Sequence, residues 1–338
     1  MKFARNLSAL AVVGALFATV PAQADDIQDR VIRFGYFVNN DHPVGFGVRK
    51  FGELVAERSG GKIQVREFPS SQLGNENQQQ SALIAGTQEM AAPGSPQLVG
   101  AVKEFGLLDF PYLVSTREQA HDFLDGPFGQ ALLDRLPQHG IVGMGYWENG
   151  FRHVTNSRRP VKGMDDLAGL KIRVQLNPVF IETFQALGTN PIPLSFSELY
   201  SALETKTIDA QENPLPLIVT SRFAEVQSYV GLTGHVYGNN IVLMSKVFWD
   251  SLSDTEKTII SESMDEAIAY QREISAEQLA TAVDELTKAG MQVDDVSDEE
   301  KARMRAVLEP VTAKFLPQYD QDVVELFNSE LERINAGQ

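Results

Sequence analysis

The sequence predicts an α/β protein made of two successive units tied together by one long helix. Three observations lead there. Strand-like and helix-like stretches alternate from residue 31 onward, the alternation restarts near residue 140, and a periodic segment from Asp254 to Ala289 exceeds the length of one ordinary domain.

The first 24 residues, MKFARNLSALAVVGALFATVPAQA, read as an export signal. Lys2 and Arg5 make a positive start, Leu7 to Val20 is apolar but short for a bilayer span, and Ala22-Gln23-Ala24 is a small-x-small cleavage site. A mature chain is therefore expected from Asp25, with no later segment of membrane-spanning length. VIRFGYFV (31–38) reads as a buried strand, and VGFGVRKFGELVAERSGG as an amphipathic helix stopped by Gly60 and Gly61. KIQVREF (62–68) alternates as a second strand, ENQQQSALIAG reads as a helix ending at Gly86, and EMAAPG as a short strand.

The second unit repeats the pattern. HGIVGMGYW and GLKIRVQL read as strands, NPVFIETFQALG as a helix with Pro178 in its first turn, and SFSELYSALETKT as another helix before IDAQEN. In GLKIRVQL, alternation turns Ile172 and Val174 toward a core and puts Lys171, Arg173 and Gln175 on the opposite face. The long segment opens with Ser253 and Glu256 in capping-box spacing. It carries apolar residues from Ile259 to Leu286 at helical spacing and stops at Gly290. At 1.5 Å per residue such a helix is about 50 Å long, enough to cross both units.

Composition removes several function classes. The 338 residues carry 29 Lys and Arg against 45 Asp and Glu, a formal net charge of −16, so nucleic acid and anionic lipid are poor partners. The absence of cysteine excludes a disulfide framework, a thiolate metal site, a cysteine nucleophile and a lipid-modified cysteine anchor. One segment runs against the overall charge. From Arg152 to Arg173 lie Arg158, Arg159, Lys162 and Lys171 with only Asp165 and Asp166 in opposition, which reads either as a basic exposed loop or as a pocket that attracts an anion.

The chain has no G-x-S-x-G, no H-E-x-x-H and no G-x-x-x-x-G-K-[ST], and GFGVRKFG has the wrong spacing for a dinucleotide fingerprint. Its five histidines are scattered, so neither a cofactor nor a metal is expected. Recognition residues remain. Arg173 offers a planar fork that matches a carboxylate, and Asn213 offers two donors and an acceptor in DAQENPLP, where Pro214 and Pro216 are expected to bar a helix or an inner strand. Phe196, in PIPLSFSELY, opens a helix and reads either as core or as a surface for an apolar ligand face.

The segments YWENGFRHVTNSRRPV, GLKIRVQLNPVFIETFQALGTNPIPLSFSELYSALETKTIDAQENPLP, FAEVQSYV and KIQVREFPSSQLGNE together resemble the solute-binding subunits of tripartite ATP-independent periplasmic (TRAP) transporters. The resemblance covers essentially the whole mature chain. It implies a two-domain periplasmic binding protein fold, type II-like, whose domains close by a hinge on a small organic acid. The expected limits are 25–149 plus 240–275 for the N-terminal domain and 150–239 plus 276–338 for the C-terminal one. It also implies a periplasmic location, no enzymatic activity, and delivery of the ligand to a small and a large integral membrane subunit.

Within that resemblance Arg173 matches the carboxylate-clamping arginine of G-L-K-x-R-V, and Arg152 matches a second arginine in N-G-x-R. Asn213 matches the asparagine of Q-E-N-P and Phe196 the ligand-stacking aromatic of x-F-S-E-x-Y. For the first domain the candidates are Glu76, Gly94, Ser95, Asn39 and His42; Gln175, Tyr237 and Asn239 complete the set. Sialic-acid-binding relatives tend to carry an acidic residue at the position of Gly94, which argues against that ligand. Polar partners such as Glu76, His42 and Asn39 favour a hydroxylated sugar acid, a hexuronate or aldonate. A C4-dicarboxylate is the alternative, and it needs a second cation. Two other classes compete: a periplasmic lyase using Glu76 and His42, and an adhesive protein with no small-molecule affinity.

Overall fold

Alternating apolar side chains build a sheet buried on both faces. The structure is a computed structural model and describes residues 26–336, so the export signal expected at 1–24 lies outside the described residues. The first strand, β1 (Arg30–Gly35), pairs in parallel with β2 (Ile63–Phe68) and β3 (Met90–Ala91), and α1 (Pro43–Arg58) connects the first two. Helix α2 (Glu76–Ile84) follows β2; a 3-10 segment at Lys103–Asp109 and helices α3 (Arg117–Asp125) and α4 (Pro127–Leu133) then lead to β4 (Ile141–Asn156).

The second half is built from β5 (Lys171–Val174), α5 (Pro178–Ala186), β6 (Asn190–Pro193), α6 (Phe196–Glu204), β7 (Ala210–Pro214), α7 (Leu215–Thr220) and β8 (Tyr229–Leu232). The chain returns through β9 (Tyr237–Ser245), α8 (Lys246–Asp250), α9 (Asp254–Lys288), β10 (Gln292–Asp295), α10 (Asp298–Phe315) and α11 (Gln321–Ala336). The strand order is β2-β1-β3-β9-β4-β7-β5-β6, with β8 on β4 and β10 on β8.

Two apolar clusters lie on opposite faces of this sheet. Neighbouring residues divide between them in period two: Tyr146, Ile241 and Leu243 belong to one, Trp147, Val242 and Met244 to the other. Ile172 and Val174 are fully buried in the first cluster, as the alternation of β5 predicts.

Two elements cross between the halves. Residues 141–151 of β4 pair with β9, and residues 152–156 pair with β7 and β8. Its register slips between Glu148 and Gly150, where Gly150 has φ +108°, a backbone that a side chain would strain. The Gln271 side chain of α9 makes good the lost ladder there: it accepts from the Glu148 N–H at 2.9 Å and donates to the Glu148 carbonyl at 2.8 Å. Helix α9 packs on α1 in the first half and on α7 and β10 in the second, as its length predicts, and the Ser253–Glu256 capping box forms.

Two expectations are corrected. The strand expected at HGIVGMGYW continues to Asn156, because the polar residues after Trp147 are buried by pairing on both sides. Pro214 and Pro216 bar neither strand nor helix. Pro214 ends β7, an inner strand, and Pro216 stands in the first turn of α7, where no backbone donor is required.

Candidate functional site

Strand β5 delivers Arg173 to a cavity between the two halves that holds about 400 Å³ of empty space, part of it open to solvent. Arg173 is 2 % exposed. Its Nε donates to the Leu194 carbonyl at 2.9 Å, and its two Nη groups meet no acceptor among the described residues. Burial lowers its pKa to about 10 against the attraction of Glu212, and the nearby Arg152 adds to the fall. A buried cation without a partner is costly, and an anion entering the cavity relieves that cost.

Arg152, also 2 % exposed, is already paired. Its Nε donates to Glu212 at 2.6 Å, and its Nη2 reaches the other Glu212 oxygen at 2.8 Å and the Asn213 Oδ1 at 2.9 Å. Glu212 sits opposite Val154 in the β4–β7 ladder, which points both side chains inward, and His235 bonds it from behind at 3.1 Å. Burial alone would raise the Glu212 pKa, but the charge and hydrogen bonds of Arg152 pull it down to about 2. Glu212 is thus an anion built into the protein, and Arg152 brings little net charge to the cavity. The remaining basic residues of this segment stay outside: Arg158 pairs with Asp209, Lys162 with Asp294, Arg159 caps backbone carbonyls, and Lys171 is exposed.

Around these arginines the cavity gathers nine of the expected residues: Arg173, Arg152, Asn213, Phe196, Glu76, Gly94, Ser95, Gln175 and Asn239. Asn213 is positioned by Arg152 on its oxygen and Gln211 on its nitrogen. Phe196, first residue of α6, meets Phe37 edge-on at 5.0 Å across the cleft. Glu76, in the first turn of α2, is 7 % exposed; burial raises its pKa while Arg173 draws it down. Gly94 bridges to Asn240, and a Cβ there would lie 3.1 Å from the Gln97 Oε1, so its small size keeps the wall open.

The sequence missed Phe37, Pro96, Gln97, Asp109, Asn149, Phe180, Val236 and Gly238, which also line the cavity. Asn149 adjoins the Glu148–Gly150 crossing and Gln97 follows Ser95 closely, so both had a signal. Asp109 and Phe180 had none, since distant segments bring them in. Burial holds the Asp109 carboxyl well above the usual range, against the hydrogen bonds of Ser95 and Asn177 and the charge of Arg152. Buried oxygens of Gln97, Asn149 and Asn239 have no hydrogen-bond partner among the described residues.

Three expected residues lie elsewhere. His42 is fully buried as the N-cap of α1, accepting from the Val44 N–H at 3.2 Å, and burial drives its pKa down to about 3. A lyase pairing of His42 with Glu76 is therefore corrected, because His42 does not reach the cavity. Asn39 bonds Thr220 and Ser70 instead. Tyr237 lines a separate apolar pocket with Phe123 and Leu124 and stacks edge-on with Phe151.

The family model for bacterial extracellular solute-binding protein, family 7, matches residues 34–318. The chain belongs to that family. The TRAP resemblance seen in the motifs is thereby confirmed, and this family-7 protein is a periplasmic solute-binding protein. It is 38 % identical to the 2,3-diketo-L-gulonate-binding periplasmic protein YiaO of Escherichia coli over 87 % of this chain and 88 % of the relative. Among solved structures, the sugar acid binding protein DctPAm of Advenella mimigardefordensis in complex with galactonate is 39 % identical, with a TM-score of 0.89 over 91 % of this chain and all of that one. A TRAP periplasmic solute-binding protein of Shewanella oneidensis with bound succinate is 33 % identical, with a TM-score of 0.85 over 89 % of this chain and 99 % of that one. The two-domain α/β fold of this family is the one predicted from the sequence.

Proposed function

We infer that this protein is a TRAP receptor for a sugar acid, a hexuronate or aldonate, which it binds between its two halves and delivers to the two membrane subunits of its transporter. The observation that carries the reading is the buried Arg173, whose two Nη groups lack an acceptor among the described residues while the side chain lines the cavity. End-on contact of both Nη groups with one carboxylate satisfies the fork. Asn213, held by Arg152, adds a donor, and Phe196 covers the carbon skeleton.

Charge favours one carboxylate over two. Arg152 is paired with Glu212, so a second carboxylate would find no unpaired side-chain cation among the described residues lining the cavity and would face Glu76. The unpartnered oxygens of Gln97, Asn149 and Asn239 suit hydroxyl donors instead. The C4-dicarboxylate reading keeps its place because a relative of similar identity holds succinate. The proposed domains are 25–149 with 240–275 and 150–239 with 276–338, moving about Glu148–Gly150, Tyr237–Asn240 and α9.

Calorimetry of galacturonate, glucuronate and galactonate against succinate and malate tests the ligand class. Tighter binding of the sugar acids is expected, and tighter binding of the diacids would overturn it. The receptor returns each ligand chemically unchanged, and conversion of any acid during incubation would restore the enzyme reading.

A further inference from the structure

Asn39 was expected at the ligand, but its side chain joins two other segments. Its Nδ2 donates to the Thr220 carbonyl at 2.7 Å, and its Oδ1 accepts from the Ser70 hydroxyl at 2.8 Å. Asn39 and Ser70 follow β1 and β2 in the first half; Thr220 ends α7, which starts just after Asn213. A second bond has the same logic. Asn177 accepts from the Val179 N–H at 2.8 Å to cap α5, and its Nδ2 donates to Asp109. Asp109 in turn accepts from Ser95 at 3.1 Å, and both belong to the segment after β3.

Each bond thus starts a few residues beyond a proposed carboxylate-site residue, Arg173 in one case and Asn213 in the other, and ends on a first-half loop. Neither Asn39 nor Asn177 lines the cavity. Asp109 does line it, so a ligand is out of reach of the Asn39–Thr220 bond and meets only the Asp109 end of the other, and separation of the halves breaks both. We propose that Asn39–Thr220 and Asn177–Asp109 are latches between the two halves, which hold the cleft shut over a bound acid through bonds made from half to half rather than to the ligand. Phe37 against Phe196 is the apolar contact between them. A bond made only in the closed form contributes wholly to the closure equilibrium, and through it to apparent affinity and residence time.

The proposal rests on the reading of the cleft as one that closes on an acid, and the test separates the two. Because the chain has no cysteine, Glu53→Cys in α1 with Gln185→Cys in α5 gives a clean spin-label pair for distance measurement. In that background Asn39→Ala deletes one latch. Asn177→Ser keeps an N-cap acceptor for α5 but lacks the amide donor that Asp109 accepts. With saturating galacturonate or succinate, each variant is expected to keep a fraction of long distances that the parent loses, and to release ligand about three- to tenfold faster. A merely structural role would lower the unfolding midpoint while leaving distances and release rate at parental values, and that result overturns the latches. If the parent binds no acid, the functional reading fails by itself. The ligand-free distances then decide: more open variants sustain the latches, and identical distributions overturn them.

Discussion

Arg152 and Arg173 share one cavity and the same 2 % exposure, yet they are opposite in electrostatic condition. Arg152 is bonded to Glu212 and Asn213 through Nε and Nη2, while among the described residues Arg173 donates only through its Nε, to the Leu194 carbonyl. The first is paired to a carboxylate through Nε and Nη2 and keeps an Nη1 without an acceptor among the described residues, and the second has no carboxylate partner among them. Burial by itself therefore does not mark a binding arginine; burial without an internal partner does.

The contrast breaks most sharply in stability. Arg152→Ala leaves the fully buried Glu212 with only His235, and removing one partner of a buried pair costs about 3–5 kcal/mol. At roughly 2 °C per kcal/mol for a chain of this size, the ligand-free unfolding midpoint should fall by about 6–10 °C. Arg173→Ala removes an unpaired buried cation, so its ligand-free midpoint should stay level or rise. Equal falls in both variants would erase the distinction.

Binding should show the reverse ranking. Arg173→Ala is expected to weaken a sugar acid by about 2–5 kcal/mol in calorimetry, the loss for truncating one side of a buried charged pair. Arg173→Lys should recover only part of it, since an ammonium cannot present two parallel donors. Parental affinity in Arg173→Ala would remove the clamp.

Acid sharpens the comparison in a graded way. The Glu212 carboxyl lies near pKa 2 when folded, below its ordinary value of 4.5, so its contribution is present above pH 4.5 and lost as pH falls toward 2. His42 and His153, held neutral by burial with pKa about 3, add a separate loss that starts below pH 6.5. Denaturant unfolding against pH should show both windows in the parent, and Glu212→Gln should lack the lower one. The smallest effect concerns the aromatic wall. Phe196→Ala should weaken the acid by about 1–2 kcal/mol, with no change in which anion is preferred. A switch toward diacids in that variant would mean that Phe196 selects charge rather than covering carbon.

The second half of the site was more legible than the first. Arg173, Asn213 and Phe196 stand in a strand, at a strand end and at a helix start whose motifs are continuous in sequence, so local chemistry singled them out and the family resemblance assigned them to the ligand. The first-half wall is assembled from loops after β1, β3 and the 103–109 turn, which share no pattern. Glu76 and Ser95 were found there, whereas Phe37, Gln97 and Asp109 were not, and Asn39 and His42 were drawn toward a cavity that they do not line. Both are polar residues beside a strand end, and such residues cap helices or bind neighbouring carbonyls as readily as they meet ligands.

The sequence by itself determined the α/β alternation, the 35-residue α9, the absence of thiol chemistry and the placement of Arg173 opposite two core aliphatics. Each follows from local periodicity or composition, which a single segment carries. Only the tertiary structure decided that Arg152 is neutralised by Glu212, that β4 crosses both halves, and that Asn39 and Asn177 bond across the cleft. The Arg152–Glu212 pair spans 60 residues of chain and the Asn39–Thr220 bond 181. The charge a cavity presents is the sum over side chains from distant segments, and only their packing sets which of those charges are already paired.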